Sequence, residues 1–227
     1  MFGIYLPVDE GYFIHFQGLL YSFKDLLDVD YKIHIIDIGL SAKNLNILHK
    51  NFGFLDYEIN KIPWTRDDKL SYKFKIDTIE LMTKSNYDYT MMLDAKNHLK
   101  KKLSEIISYL NETPILIQDI YPYYERDWTH NIALECMGVI DNYEILNSYQ
   151  YQSNNPVFDV NKSKEIMLDI VKYGNMKEAL CPMGSKKSFD GESRHRQDQS
   201  VISCILKKHN IKPSKNLYSN YHNTIHL

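Results

Sequence analysis

The segment Asp88-Tyr-Thr-Met-Met-Leu-Asp-Ala-Lys-Asn-His98 constrains this chain more than any other. Thr90 to Leu93 form a short apolar run without helical period, and Ser85, Asn86 and Asp88 precede it as turn residues. A run of that length with those flanks reads as a buried central strand. Asp94 stands where such a strand would leave the sheet. Beyond it, Leu99, Leu103, Ile106, Ile107 and Leu110 share one face of an amphipathic helix. Ligands of open α/β sheets gather at the carboxyl ends of the strands, which makes Asp94 a candidate site residue. The competing reading is a helix cap, and strand–helix grammar alone favours the cap.

The flanks repeat this grammar. Phe2 to Leu6 reads as a strand closed by Pro7, followed by a helix with Phe13, Phe16, Leu19, Leu20, Phe23 and Leu27 near one face. Lys32 to Ile36 is a second strand ending at Asp37, and Gly39 and Ser41 turn the chain into a helix through Leu45 and Leu48. Tyr57 to Ile59 is a short third strand, and Ser71 caps a helix with Phe74, Ile79 and Met82 inward. Strands alternating with helices predict an α/β domain with a mainly parallel sheet and right-handed crossovers.

The second half is expected to hold a buried strand at Pro114 to Gln118, an aromatic loop from Gln118 to Trp128, and a longer strand from Ile132 to Ile140. A helix from about Lys162 to Tyr173, a loop from Pro182 to Arg196 and a final helix from near Asp198 complete it. With 227 residues, 44% of them hydrophobic, no repeat and no linker, one domain over 1–227 is the economical reading.

A formal net charge of −2 gives no electrostatic argument for nucleic-acid binding. Cys136, Cys181 and Cys204 are odd in number and lack metal-ligand spacing; Cys136 and Cys204 lie in apolar surroundings and read as buried thiols, which suits a reducing compartment. No signal peptide and no membrane-spanning run is read, so a soluble, cytoplasmic protein is expected.

Four segments occur in order: Ser71-Tyr-Lys-Phe-Lys75, Asn86-Tyr-Asp-Tyr89, Leu93-Asp-Ala-Lys-Asn-His-Leu99 and His195-Arg-Gln-Asp-Gln-Ser200. Together they resemble nucleotide-diphospho-sugar glycosyltransferases of the GT-A type, including small microbial and viral members. The resemblance runs from about residue 2 to 210. It implies a Rossmann-like GT-A fold and transfer of a sugar from an NDP-sugar, a UDP-sugar first, to a glycan or other hydroxyl acceptor. It divides the chain into a nucleotide-sugar-binding half, 1–98, and an acceptor and catalytic half, 99–227.

The resemblance places Val8, Asp9, Asp37, Lys73, Asp94 and Ala95 at the donor and Asp198 as the catalytic residue; Arg196, just before Asp198, is a donor-diphosphate candidate by its charge, and the aromatic loop offers Trp128, flanked by Asp127, as the acceptor-site candidate. It also implies a divalent cation, Mn²⁺ or Mg²⁺, with Asp94 as a ligand. Here the sequence departs from the family's Asp-X-Asp, because Asp94-Ala95-Lys96 replaces the second carboxylate by a cation. One carboxylate is a thin site for a hard cation, so a weaker metal requirement is expected. His98, His222 and His226 are the possible extra ligands.

Each residue has a plainer reading. Asp9 and Asp37 could accept hydrogen bonds from base or ribose, or simply hold turns. Lys73 could reach a phosphate or lie exposed on its helix. Asp198 at a helix start is either an ionised general base or an N-cap. Arg194, His195 and Arg196 could meet the diphosphate, and Pro182 to Arg196 could close as a lid. Trp128 could stack a sugar or plug the core. Two other functions compete: a catalytically inactive NDP-sugar-binding scaffold, kept open by Lys96, and a sugar nucleotidyltransferase, disfavoured by the missing glycine-rich phosphate loop.

Overall fold

The computed structural model describes residues 1–62, 64–65, 71–183 and 194–214. His222, His226 and most of the expected lid, 184–193, lie outside the described residues. The first half contains β1 (Phe2–Val8), α1 (Phe13–Tyr21), β2 (Tyr31–Asp37), α2 (Ala42–Asn51), β3 (Tyr57–Lys61), α3 (Lys73–Lys84) and β4 (Tyr89–Met92). The second contains α4 (Leu103–Leu110), β5 (Ile115–Leu116), β6 (Asp119–Tyr124), α5 (Glu125–Trp128), α6 (Asn131–Cys136), α7 (Tyr143–Leu146), β7 (Tyr149–Tyr151), β8 (Val157–Asp159), α8 (Val160–Gly174), α9 (Lys177–Leu180) and α10 (Gln197–Lys208).

Six strands form the central sheet in the order β3-β2-β1-β4-β8-β5. β3, β2, β1 and β4 are parallel, whereas β8 runs against both β4 and β5. The sheet is therefore mainly parallel and has helices on both faces, as the alternation predicts. Side chains of β1 sort by parity, as a pleated strand requires. Phe2, Ile4, Leu6 and Val8 join the core with α1, α2 and α4, while Tyr5 faces the core with α3, α8 and α10. Gly3 is required on that second face, because a Cβ there would lie 2.4 Å from the Tyr87 ring.

Several expectations need correction. β1 runs through Pro7, whose nitrogen faces the β4 side beyond the last paired residue, so no ladder hydrogen bond is lost. The helix after β4 starts only at Leu103, with Lys102 at its N-cap position, so Asp94 is not a helix cap. Likewise Tyr72, with φ of 55°, precedes α3 in the position expected for Ser71. The expected aromatic loop is strand β6, paired with β7, followed by one turn of helix.

Ile132 to Ile140 is a helix and a turn, not a strand. His130 accepts a hydrogen bond from the Ile132 N–H, and Gly138 (φ of 69°) ends α6. The Gly138 N–H reaches the Glu135 carbonyl and the Val139 N–H reaches that of Leu134. This is a Schellman closure, and Gly138 was its signal in the sequence.

Candidate active site

β1, β2 and β4 all end at the same edge of the sheet, so Val8, Asp9, Asp37 and Asp94 gather there. The cleft at this edge has a volume of about 440 Å³. Tyr72, Lys75, Asp94, Asp198, Arg196, Tyr123 and Trp128 are among its lining residues. Asp94 sits in a turn anchored to a distant segment. Its N–H donates to the Asn154 carbonyl at 2.9 Å, and Asn97 Nδ2 donates to the same carbonyl at 2.7 Å.

Lys75, in the first turn of α3, supplies the cation at the centre of the cleft. Its Nζ lies 2.9 Å from Asp94 Oδ2 and 3.6 Å from Asp198 Oδ2. Only 5% of Lys75 is exposed. Burial works against its charge, but the Asp94 and Asp198 carboxylates outweigh that and hold its pKa above the ordinary lysine value. The ammonium persists at neutral pH. Asp198 is 4% exposed, lies in the first turn of α10, and has its Oδ2 buried without a hydrogen-bond partner among the described residues. Arg196 rather than Asp198 occupies the N-cap position of that helix.

The backbone on either side of this pair is strained. Among the described residues, three non-glycine residues have positive φ, and two of them, Tyr72 at 55° and Gln197 at 36°, line the cleft. Such conformations cost free energy and concentrate at ligand sites. Below the cleft, Glu125 is fully buried and accepts hydrogen bonds from Lys207 Nζ (2.6 Å), Thr129 Oγ1 (2.7 Å), Gln150 Nε2 (3.1 Å) and the Ser203 hydroxyl. Gln150 Oε1 in turn accepts from Gln199 Nε2 at 2.9 Å, which fixes a cleft-lining amide.

The other sequence candidates are distributed unevenly. Asp9 accepts from the Tyr12 N–H at 3.1 Å, and Asp37 accepts from the N–H groups of Gly39 (2.8 Å) and Leu40 (2.7 Å). Both carboxylates hold turns at the sheet edge, outside the cleft lining. Val8 and Ala95 are buried beside them. Lys73 pairs with Asp77 on the outer side of α3, and Lys96 rests over the Tyr12 ring at 4.9 Å. Asp127 is exposed beside Arg126, whereas Trp128 lines the cleft.

Lys75 is the residue that sequence reasoning missed. It lies four residues before Ile79 and seven before Met82, on the inward face of α3, while Lys73 does not share that phase.

A divalent cation does not fit the described residues. Asp94 is engaged by Lys75, Lys96 is turned to Tyr12, and no group of three acidic, histidine or cysteine ligands is in place among them. His98 is exposed.

His195 also departs from expectation. It is 3% exposed, with its Nε2 donating to the Leu180 carbonyl at 3.1 Å and its Nδ1 accepting from the His130 N–H at 3.4 Å. Both nitrogens serve the backbone, so the ring has no free group for a diphosphate. Burial pushes its pKa down to about 4. A histidine with a depressed folded pKa stabilises the fold above its unfolded value and loses that contribution as pH falls. Between about pH 6.5 and 4, this should cost up to about 3 kcal/mol. The His195→Gln variant should show a flatter melting temperature over that range. An unchanged pH slope would assign the acid sensitivity to other groups.

No protein-family model matches the sequence, and no curated protein matches it either. Solved structures do match, and the architecture they define is the GT-A glycosyltransferase fold. The chain is similar to the galactosyltransferase LgtC in complex with donor and acceptor sugar analogs. That match has a TM-score of 0.57 and 14% identity, and covers 89% of this chain and 70% of that one. It is similar to mouse xyloside xylosyltransferase 1 in its apo form, with a TM-score of 0.59 and 9% identity over 94% of this chain and 83% of that one. The apo bifunctional glycosyltransferase WbbM matches with a TM-score of 0.59 and 11% identity over 89% of this chain, which spans 37% of WbbM. Among the described residues no helix is long and apolar enough to cross a membrane.

Proposed function

We propose that this protein is a glycosyltransferase that moves a hexosyl or related sugar from an NDP-sugar, a UDP-sugar first, to a hydroxyl of a glycan or similar acceptor. The observation that carries the reading is the shared cation. Lys75 is held between Asp94 and Asp198 at the carboxyl edge of a GT-A sheet, while Asp198 Oδ2 is buried with no hydrogen-bond donor among the described residues. Buried acceptors are normally satisfied, so an unsatisfied one in a cleft supports a ligand hydroxyl as its partner.

In an inverting reaction that hydroxyl donates to Asp198 Oδ2. Its oxygen then attacks the anomeric carbon as the bond from that carbon to the diphosphate oxygen breaks. The diphosphate leaves with the electron pair and Asp198 takes the proton. In a retaining reaction the same contact orients the acceptor or donor. Lys75 fixes both carboxylates, leaving the remaining oxygen of Asp94 for donor hydroxyls.

A panel of nucleotide sugars tested by thermal shift gives the direct check. A ligand at one hundred times its Kd adds about 2.7 kcal/mol, which for a chain of this size raises Tm by roughly 5 to 10 °C. No shift with any nucleotide would overturn the proposal. A shift without transfer to any acceptor, and without donor hydrolysis, would favour the inactive binder.

A further inference from the structure

Lys75 and Asp94 come from α3 and the end of β4, and their charges are matched to one another. A second set of charges comes from different elements: Arg196 lines the cleft, and Arg194 stands two residues before it. Arg196 stacks over Tyr123 at 5.0 Å and over Trp128 at 5.8 Å, and Arg194 stacks over Trp128 at 4.8 Å. The two rings meet edge to face, with centroids 4.6 Å apart at 90°. Arg194 Nε and Arg196 Nη1 are buried and have no hydrogen-bond partner among the described residues.

A guanidinium gains from stacking on an aromatic face but still presents its N–H groups in plane. Leaving such a donor buried and unmade costs free energy, more so for a charged group. Burial opposes the Arg196 charge, with Tyr123 and Asp198 only partly offsetting it.

The platform is also rigid. The Trp128 carbonyl accepts from Gln150 Nε2 at 3.3 Å and from the Ser200 hydroxyl at 3.2 Å. Glu125, one turn earlier in α5, is locked by Lys207. Pre-organised donors of this kind are what a carboxylate or phosphate group needs for bidentate pairing.

Asp198 connects the two sets, lying 3.6 Å from Lys75 and two residues after Arg196. If the reacting hydroxyl meets Asp198, the Arg194–Trp128–Arg196 wall adjoins the body of the acceptor. The geometry points to an oxyanion subsite formed by Arg194 and Arg196 on Trp128 and Tyr123, which recognises a carboxylate or phosphate carried by the acceptor sugar. This inference rests on the proposed transfer reaction, because the acceptor is named by it. The donor diphosphate is the other possible source of an oxyanion.

Calorimetric titration of the full-length protein separates these. Glucose 6-phosphate and glucuronate should bind on the order of tenfold more tightly than glucose, the usual gain from charged hydrogen bonds. That preference should fall to near unity in Arg196→Gln and in Arg194→Gln, while UDP binds both variants as it binds the parent. Two single variants guard against one that fails to fold, and each is checked by its melting curve.

Equal binding of charged and neutral sugars, or no measurable binding of either charged sugar, overturns the subsite. Parallel loss of UDP affinity in the arginine variants overturns the acceptor assignment and gives the arginines to the donor diphosphate. Failure of UDP to bind the parent would instead withdraw the UDP-sugar assignment, and the sugar comparison would still decide the subsite.

Discussion

Replacing Asp198 by asparagine should leave donor affinity close to parental and lower sugar transfer by roughly two to four powers of ten. The substitution preserves shape and removes only the negative charge and proton-accepting capacity of a side chain that is 4% exposed. Lys75 retains its closer partner, Asp94 at 2.9 Å, so the buried ammonium remains compensated and the fold should survive. The N-cap position belongs to Arg196, which removes helix capping as an explanation for any loss. Steady-state kinetics should show the fall in kcat with little change in donor KM. Product anomeric configuration, read by NMR, then assigns the role. An inverted product with this loss supports a general base, whereas a retained product assigns Asp198 to positioning. Transfer at near-parental rate would remove Asp198 from the chemistry.

How much of this was legible without coordinates follows from the range of the forces involved. The apolar run Thr90 to Leu93 and its counterparts in β1 and β2 are local patterns, with burial on both faces making Thr90 to Leu93 and β1 nearly uniformly apolar while β2 keeps Lys32 and His34 among its buried isoleucines. They read correctly as central parallel strands, and the strand-end position of Asp94 followed from them. The Ile132 to Ile140 segment failed because a short apolar stretch does not by itself distinguish strand from helix. Gly138 is the local residue that distinguishes the two, because its positive φ closes a helix.

The site was harder to read because its geometry is long-range. Lys75 and Asp198 are 123 residues apart in the chain. Nothing near either residue announces the pairing, although the inward phase of Lys75 on α3 set it apart from Lys73. Glu125 was hidden in an aromatic stretch for the same reason, since its donors come from α10, β7 and Thr129. Asp9 and Asp37 illustrate the reverse case. Turn chemistry, which local sequence does encode, accounts for the hydrogen bonds that both side chains make.

Lys75→Met should destabilise the fold strongly. Methionine matches much of the lysine stem, so the loss is chiefly that of the ammonium. Asp94 and Asp198 would then face each other in the cleft with no cation between them. Breaking a buried ion pair from one side costs about 3–5 kcal/mol, because the remaining charge is left uncompensated.

The Asp94 side chain is 33% exposed, so water takes up part of that penalty and the lower end, about 3 kcal/mol, is expected. Melting should fall by roughly 6 to 12 °C for a chain of this size, and transfer should fall with it. A merely structural lysine would lose stability in the same way, so the decisive comparison is the double variant Lys75→Met with Asp198→Asn. Removing one carboxylate relieves the repulsion that the missing ammonium exposed. The double variant should therefore be more stable than Lys75→Met alone, a coupling of on the order of 1 kcal/mol or more. If the two substitutions add without coupling, the ammonium is not what holds Asp198 beside Asp94, and the shared-cation account of the cleft fails.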